Sequence, residues 1–184
     1  MEKIKLANFL KYSKDDLRGK VVCFPTDTVY GLGAMYGDHS AIQKIYKIKN
    51  RPADKPLANL CSHIDQILNL GIEIPESAQE LMKKYWPGAL TIILKAREEK
   101  ISFRMPNCDI ALKLIDHFSL MATTSVNESG EKELNTMEDI EAAFGSLIDY
   151  FITDEAIFSK IPSTVIDMSE GKIIVLRRGA INLE

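Results

Sequence analysis

A chain of 184 residues, 46% hydrophobic and 27% charged, can bury one sizeable core and is short for two, which excludes the disordered and fibrous classes. Its formal charge of −3 argues against a basic envelope around long nucleic acid, so any anion binding must come from local clusters of cations. Cys23, Cys61 and Cys108 stand far apart and, with His39, His63 and His117, show no metal-ligand spacing; the thiols read as reduced and buried, and no protein-built metal site is expected.

Met1 to Lys14 breaks its apolar steps with Glu2, Lys3, Lys5 and Lys11, unlike a signal peptide. Apolar runs such as Ile92-Ile93-Leu94 are too short to cross a bilayer, so a cytoplasmic chain without membrane contact is expected. Ile4, Leu6 and Leu10 predict a short first element, and Asp15 to Lys20 a polar turn containing Gly19. Val21 to Phe24 is an apolar run typical of a strand buried on both faces, ended by Pro25. The residues from Thr26 to Gly33 then read as a loop of hydroxyls and glycines. Asp38 is the expected N-cap of a helix with Ile42, Ile45 and Ile48 on one side, stopped by Pro52. Lys49, Arg51 and Lys55 cluster where Pro52 and Pro56 stiffen the chain.

Leu57 to Cys61 suits a strand, and Ile64, Ile67 and Leu68 a short helix ending near Gly71. Pro75 opens a helix that Trp86-Pro87-Gly88 closes. Leu90 to Leu94 and Ile101 to Arg104 are predicted strands, the second broken at Pro106. Asp109 to Phe118 has helical spacing, and Leu120 to Thr124 runs as a strand into Ser125-Val126-Asn127-Glu128-Ser129-Gly130. From Glu128 to Glu141 acids dominate around a single Lys132, which reads as a solvated face. Phe151-Ile152, Thr164 to Ile166 and Ile173 to Leu176 complete a set of strands interleaved with helices. That pattern predicts one α/β (α+β) domain over residues 1–184 with a mixed sheet flanked by helices, its strand order left open.

Familiar sites are excluded one by one. Gly31, Gly33 and Gly37 miss the dinucleotide fingerprint, because the third glycine is one residue late and no acid closes the next strand. No phosphate-binding G-x-x-x-x-G-K-[ST] and no G-x-S-x-G occurs. What remains are short polar groups (Thr26, Thr28, Ser125, Asn127, Ser129, Ser163, Thr164) and fixed cations (Lys49, Arg51, Lys55, Arg104, Arg177) at predicted strand ends. Singly, each reads as a turn residue or a helix-end cation. Together they suit a small ligand carrying phosphate and carboxylate.

The segments PTDTVYGLG, KNRPADKPL, WPGALTIIL, FRMP, TSVNESG, PSTVID and LRRGAI, in this order from about Leu17 to Ile181, resemble the YrdC-like family. The resemblance implies a nucleotidyltransferase that makes L-threonylcarbamoyladenylate and pyrophosphate from L-threonine, bicarbonate and ATP. The product feeds N6-threonylcarbamoyladenosine modification of tRNA, completed by separate tRNA threonylcarbamoyl-transfer proteins. It implies a twisted sheet with a concave basic face, in the short single-domain form, and Mg²⁺ arriving with ATP, held by phosphates and water because no Asp/Glu cage is visible.

By motif position, Lys49 and Arg51 are the K-x-R pair for the ATP phosphates, with Lys55 beside them. Ser125 and Asn127 match S-x-N, expected at the nucleotide or the nascent carbamate, and Arg177 should reach the nucleotide. Thr28, Arg104 and Ser163 are assigned to threonine, with Arg104 as a fork for its carboxylate. No distinct catalytic nucleophile is expected, only charge stabilisation by Lys49 and Arg51. Val126 and Glu128 depart from the family pattern around Asn127, and Glu128 is expected to point outward. Asn59 is an unexplained polar residue in an apolar strand. The alternative is a double-stranded RNA or tRNA-binding module without catalysis; weak RNA binding suits a basic face, but the acidic net charge and the lack of interleaved aromatic and basic residues count against it. A third reading is a carbamoyl-transfer protein using another donor.

Overall fold

The computed structural model describes residues 1–183. In chain order the elements are β1 (Glu2–Ile4), α1 (Leu6–Phe9), β2 (Val22–Pro25), β3 (Tyr30–Met35), α2 (His39–Ile48), β4 (Ala58–Leu60), α3 (Asp65–Leu68) and α4 (Glu76–Tyr85). They continue with β5 (Leu90–Ala96), β6 (Glu99–Arg104), α5 (Asp109–Phe118), β7 (Met121–Ser125), α6 (Met137–Phe144), β8 (Tyr150–Ile152), β9 (Thr164–Asp167) and β10 (Ile174–Arg177). The strands form one twisted mixed sheet in the order β1-β8-β2-β3-β7-β4-β6-β5-β9-β10. Four neighbour pairs are parallel (β1/β8, β8/β2, β4/β6, β5/β9) and the rest antiparallel.

The period of two along β2 explains its burial on both faces. Val22 and Phe24 pack with Phe9, Leu114 and Phe118 of α1 and α5, while Val21 and Cys23 pack with Ile45 of α2 and Ile140 and Phe144 of α6. The other half of the sheet differs. Leu90, Ile92 and Leu94 of β5 pack with Met82 of α4 and with Trp86, but the alternate residues Thr91 and Ile93 line an open cavity. One face of β5, β6 and β9 is therefore left free for a ligand.

Several local signals act as expected. Asp38 caps α2, its Oδ1 accepting from Ala41 N at 3.0 Å and its Oδ2 from Gly19 N at 2.6 Å. The three cysteines are free and buried. Asn59 is accounted for: its Nδ2 donates to Ser102 O at 3.2 Å, tying β4 to β6.

One expectation is corrected. Gly31 and Gly33 lie in the central strand β3, not in a loop. A Cβ on Gly33 would stand 2.8 Å from Phe24 Cε1, and one on Gly31 would stand 2.9 Å from Thr123 Cγ2. These glycines make room for neighbouring side chains, and Gly31 also lines the cavity described below. The Ile-Ile-Val-Leu run is a strand as expected, and β10 occupies an edge of the sheet with all four of its residues exposed. The acidic run also contains α6, capped by Thr136 and anchored by Ile140 and Phe144 beneath its solvated acids. Among the described residues no helix is long and apolar enough to cross a membrane.

Candidate active site

The uncovered sheet face carries a cavity of about 710 Å³. Its floor is made by residues that alternate with core positions: Thr91 and Ile93 on β5, Ser102 and Arg104 on β6, Thr123 and Ser125 on β7. On one side the turn after β2 closes on its own hydroxyls. Thr26 Oγ1 donates to Val29 O at 2.7 Å and lies 3.1 Å from Thr28 Oγ1, which accepts from Arg104 Nη1 at 2.9 Å. Arg104 also donates through Nε to Gly88 O at 3.0 Å and through Nη2 to Asp27 Oδ1. Burial pulls this guanidinium below the usual arginine range and Asp27 opposes the shift; arginine stays charged throughout. Two of its five N–H groups have no partner among the described residues, and Arg104 lines the cavity.

Opposite, Ser163 Oγ lies 2.8 Å from Thr91 Oγ1 and accepts from Arg177 Nη2 at 3.1 Å, while Arg177 Nε donates to Ser163 O at 3.0 Å. The loop after α2 folds around Arg51, whose Nε and Nη2 donate to the carbonyls of Lys55 and Pro56 at 2.8 and 2.9 Å. Arg51 and Lys55 both line the cavity. Tyr30 stands at the rim, packed against Phe151 and Phe158.

Of the nine residues assigned to substrates from the sequence, Thr28, Arg51, Lys55, Arg104, Ser125, Ser163 and Arg177 line this one cavity. Lys49 and Asn127 do not. The Lys49 side chain is 1% exposed, and its Nζ donates to Ser125 O, Asn127 O and Asn127 Oδ1 at 2.5, 2.8 and 2.6 Å. All three ammonium protons are thus used beneath the turn after β7, so Lys49 is directed away from the expected phosphate position. Asn127 Oδ1 also accepts from Ser125 Oγ at 2.8 Å, and its Nδ2 donates to Glu131 O at 2.6 Å. The pair holds Ser125 in place from behind.

Sequence reasoning missed Glu133 and Asp54, which line the cavity among the cations, and Asp27, which fixes Arg104. Glu133 looked like one more solvated acid, and nothing in the run separates it from its neighbours. Thr91, Ser102 and Thr123 were legible in principle, as polar residues alternating with apolar ones in strands. Glu128 is exposed, as expected, and Val126 is in the core.

Burial, with Arg51 second, brings Lys49 down to about 8, against the attraction of Glu133. Below pH 8 the folded and unfolded chains both carry this proton, and above about 10.4 neither does. Between those values the folded chain holds fewer protons, so this group's contribution to stability rises with pH. The difference in unfolding free energy between the native chain and Lys49→Met is expected to move in favour of the native chain by roughly 1.4 kcal/mol per pH unit over that window. Urea titrations at pH 7.0 and 9.5 measure it, and a difference independent of pH would show that the ammonium is not buried.

The family model described as Telomere recombination (Sua5, YciO, YrdC) matches residues 17–179. The threonylcarbamoyl-AMP synthase of Pyrococcus abyssi is 38% identical over 177 residues, covering 90% of this chain and 52% of that protein. The Bacillus subtilis protein of the same name is 36% identical over 181 residues, covering 90% and 51%. This chain spans about half the length of these curated relatives. The crystal structure of P. abyssi Sua5 complexed with L-threonine superposes with a TM-score of 0.85 at 34% identity, over 97% of this chain and 56% of that one. With the family model spanning nearly the whole chain and a shared sheet carrying the cavity, the protein belongs to the Sua5/YciO/YrdC family.

Proposed function

We propose that this chain joins L-threonine, bicarbonate and ATP to give L-threonylcarbamoyladenylate, pyrophosphate and water. The observation that carries the reading is the convergence of Arg51, Lys55, Arg104 and Arg177 on one cavity floored by hydroxyls. The names of the P. abyssi and B. subtilis relatives support it, as does the threonine in the P. abyssi complex.

The chemistry fits such a cavity. The threonine amine and bicarbonate give a carbamate with loss of water, and a carbamate oxygen attacks the α-phosphorus of ATP as pyrophosphate leaves. Two anions must approach and a third must depart, so fixed cations can lower the barrier without a covalent nucleophile. Arg104 holds the threonine carboxylate beside the hydroxyls of Thr28 and Ser163. Arg51 and Lys55 take the phosphates, Arg177 the nucleotide, and Ser125 faces the nascent carbamate, with Lys49 and Asn127 as its support. In this reading Mg²⁺ enters with the triphosphate, held by its phosphates and water. This is adenylyl transfer, so the enzyme class is nucleotidyltransferase. The mixed anhydride is reactive and calls for proteins that pass the threonylcarbamoyl group to tRNA.

Incubating the purified chain with ATP, Mg²⁺, bicarbonate and threonine is expected to release pyrophosphate only when all are present. Pyrophosphate release that ignores threonine, or none at all, would overturn the reading. An RNA-binding module gives none, and a carbamoyl transferase with another donor ignores bicarbonate.

A further inference from the structure

The ten-stranded sheet has two edges, and they are built differently. At one, β1 is three residues long and carries Glu2 and Lys3, and Lys3 reaches Glu141 of α6 at 2.6 Å. Short, charged edges are how soluble proteins discourage strand addition. At the other, β10 is preceded by Ile173, and the four residues Ile173, Ile174, Val175 and Leu176 are 53%, 51%, 43% and 57% exposed. Its backbone pairs on one side only, with β9, and a register shift between Val175 and Arg177 leaves Leu176 outside that ladder, so the regular stretch open to a further strand is Ile173 to Val175. Half-exposed Ile161 extends the apolar surface at the far end, where Ala180 N donates to Pro162 O.

The charges on this edge select what fits it. Residues 172–178 contain Lys172, Arg177 and Arg178 and no acid, in a chain of net charge −3. Glu170 lies beyond the turn at Gly171, whose φ is +74°. Asp167, which pairs with Ile174 across the ladder, is engaged by Lys100 at 3.0 Å and Ser169 at 2.6 Å. A second copy pairing edge to edge would set these cations against themselves, and like charges across paired strands destabilise.

We propose that β10 is a docking edge for an extended acidic segment of another protein, which adds as an eleventh strand. Main-chain hydrogen bonds would give the affinity, with apolar side chains over Ile173 to Leu176 and carboxylates toward Lys172 and Arg178 giving the selectivity. Leu176 and Arg177 also line the cavity, so a segment bound here would lie at its rim. The inference does not depend on the reaction proposed above.

A blocked nine-residue peptide alternating valine with aspartate or glutamate is the probe, followed by fluorescence anisotropy and amide hydrogen exchange. Saturable binding that slows exchange in residues 173–177 is expected, and the same peptide with lysine for each acid should not bind. Lys172→Glu with Arg178→Glu should weaken binding about tenfold, and Ile174→Lys, at an exposed position, should abolish it. Absence of binding, binding without protection at 173–177, or binding unchanged in the charge-reversed chain would each overturn the proposal. So would sedimentation showing a dimer of the native chain that Ile174→Lys dissolves, because the occupant would then be a second copy.

Discussion

Replacing Arg51 by alanine is expected to lower pyrophosphate release by about 10²–10³, the loss seen when one donor to a developing oxyanion is removed. That factor corresponds to about 2.7–4 kcal/mol of transition-state stabilisation. The guanidinium does two things at once. Its Nε and Nη2 hold the carbonyls of Lys55 and Pro56, and the residue lines the cavity. Arg51→Lys should recover only part of the rate, because a point charge cannot hold both carbonyls and a phosphate together. Single-turnover measurements on folded variants check this, and a rate within threefold of the native chain would remove Arg51 from the reaction.

Arg104→Met is expected to destabilise the fold by about 3–5 kcal/mol, a large share of the roughly 5–15 kcal/mol typical of a domain. The side chains of Arg104 and Asp27 are 8% and 15% exposed, so the variant leaves a carboxylate with little water and no counter-charge, and Gly88 O without its donor. Adding Asp27→Asn should restore roughly 1–3 kcal/mol, since neighbours that share one contact do not contribute independently. Urea unfolding of the two single variants and the double variant gives the coupling, and simple additivity would show that the pair is not a unit. In whatever folded fraction remains, calorimetry should find threonine binding lost and ATP binding retained. The reverse pattern would exchange the roles of Arg104 and Arg177.

The legible parts of the chain were those where one local rule dominates. Asp109 to Phe118 shows its helix because Ala111, Leu114, Ile115 and Phe118 must face one core, and Val21 to Phe24 shows a strand because both faces are covered. Gly31 and Gly33 mislead because their reason lies in Phe24 and Thr123, on the strands to either side. Composition alone cannot separate an apolar edge from a buried strand, so the place of β10 at the edge of the sheet was not legible. The candidate cavity was legible as a set of motif residues, and seven of the nine do meet. The direction of a long side chain was not: Lys49 and Arg51 are two residues apart, yet one turns inward to three acceptors and the other faces the cavity.

The order of the strands carries a consequence for synthesis on the ribosome. β7 is inserted between β3 and β4, and β8 between β1 and β2, so segments made early wait for ones made much later. Such distant pairings cost loop entropy before any contact compensates, and they slow folding. A nascent chain stopped before Met121 lacks the strand that joins β3 to β4 and the floor that Thr123 and Ser125 give the cavity. The cavity is therefore complete only once translation has passed Arg177, the last residue of β10.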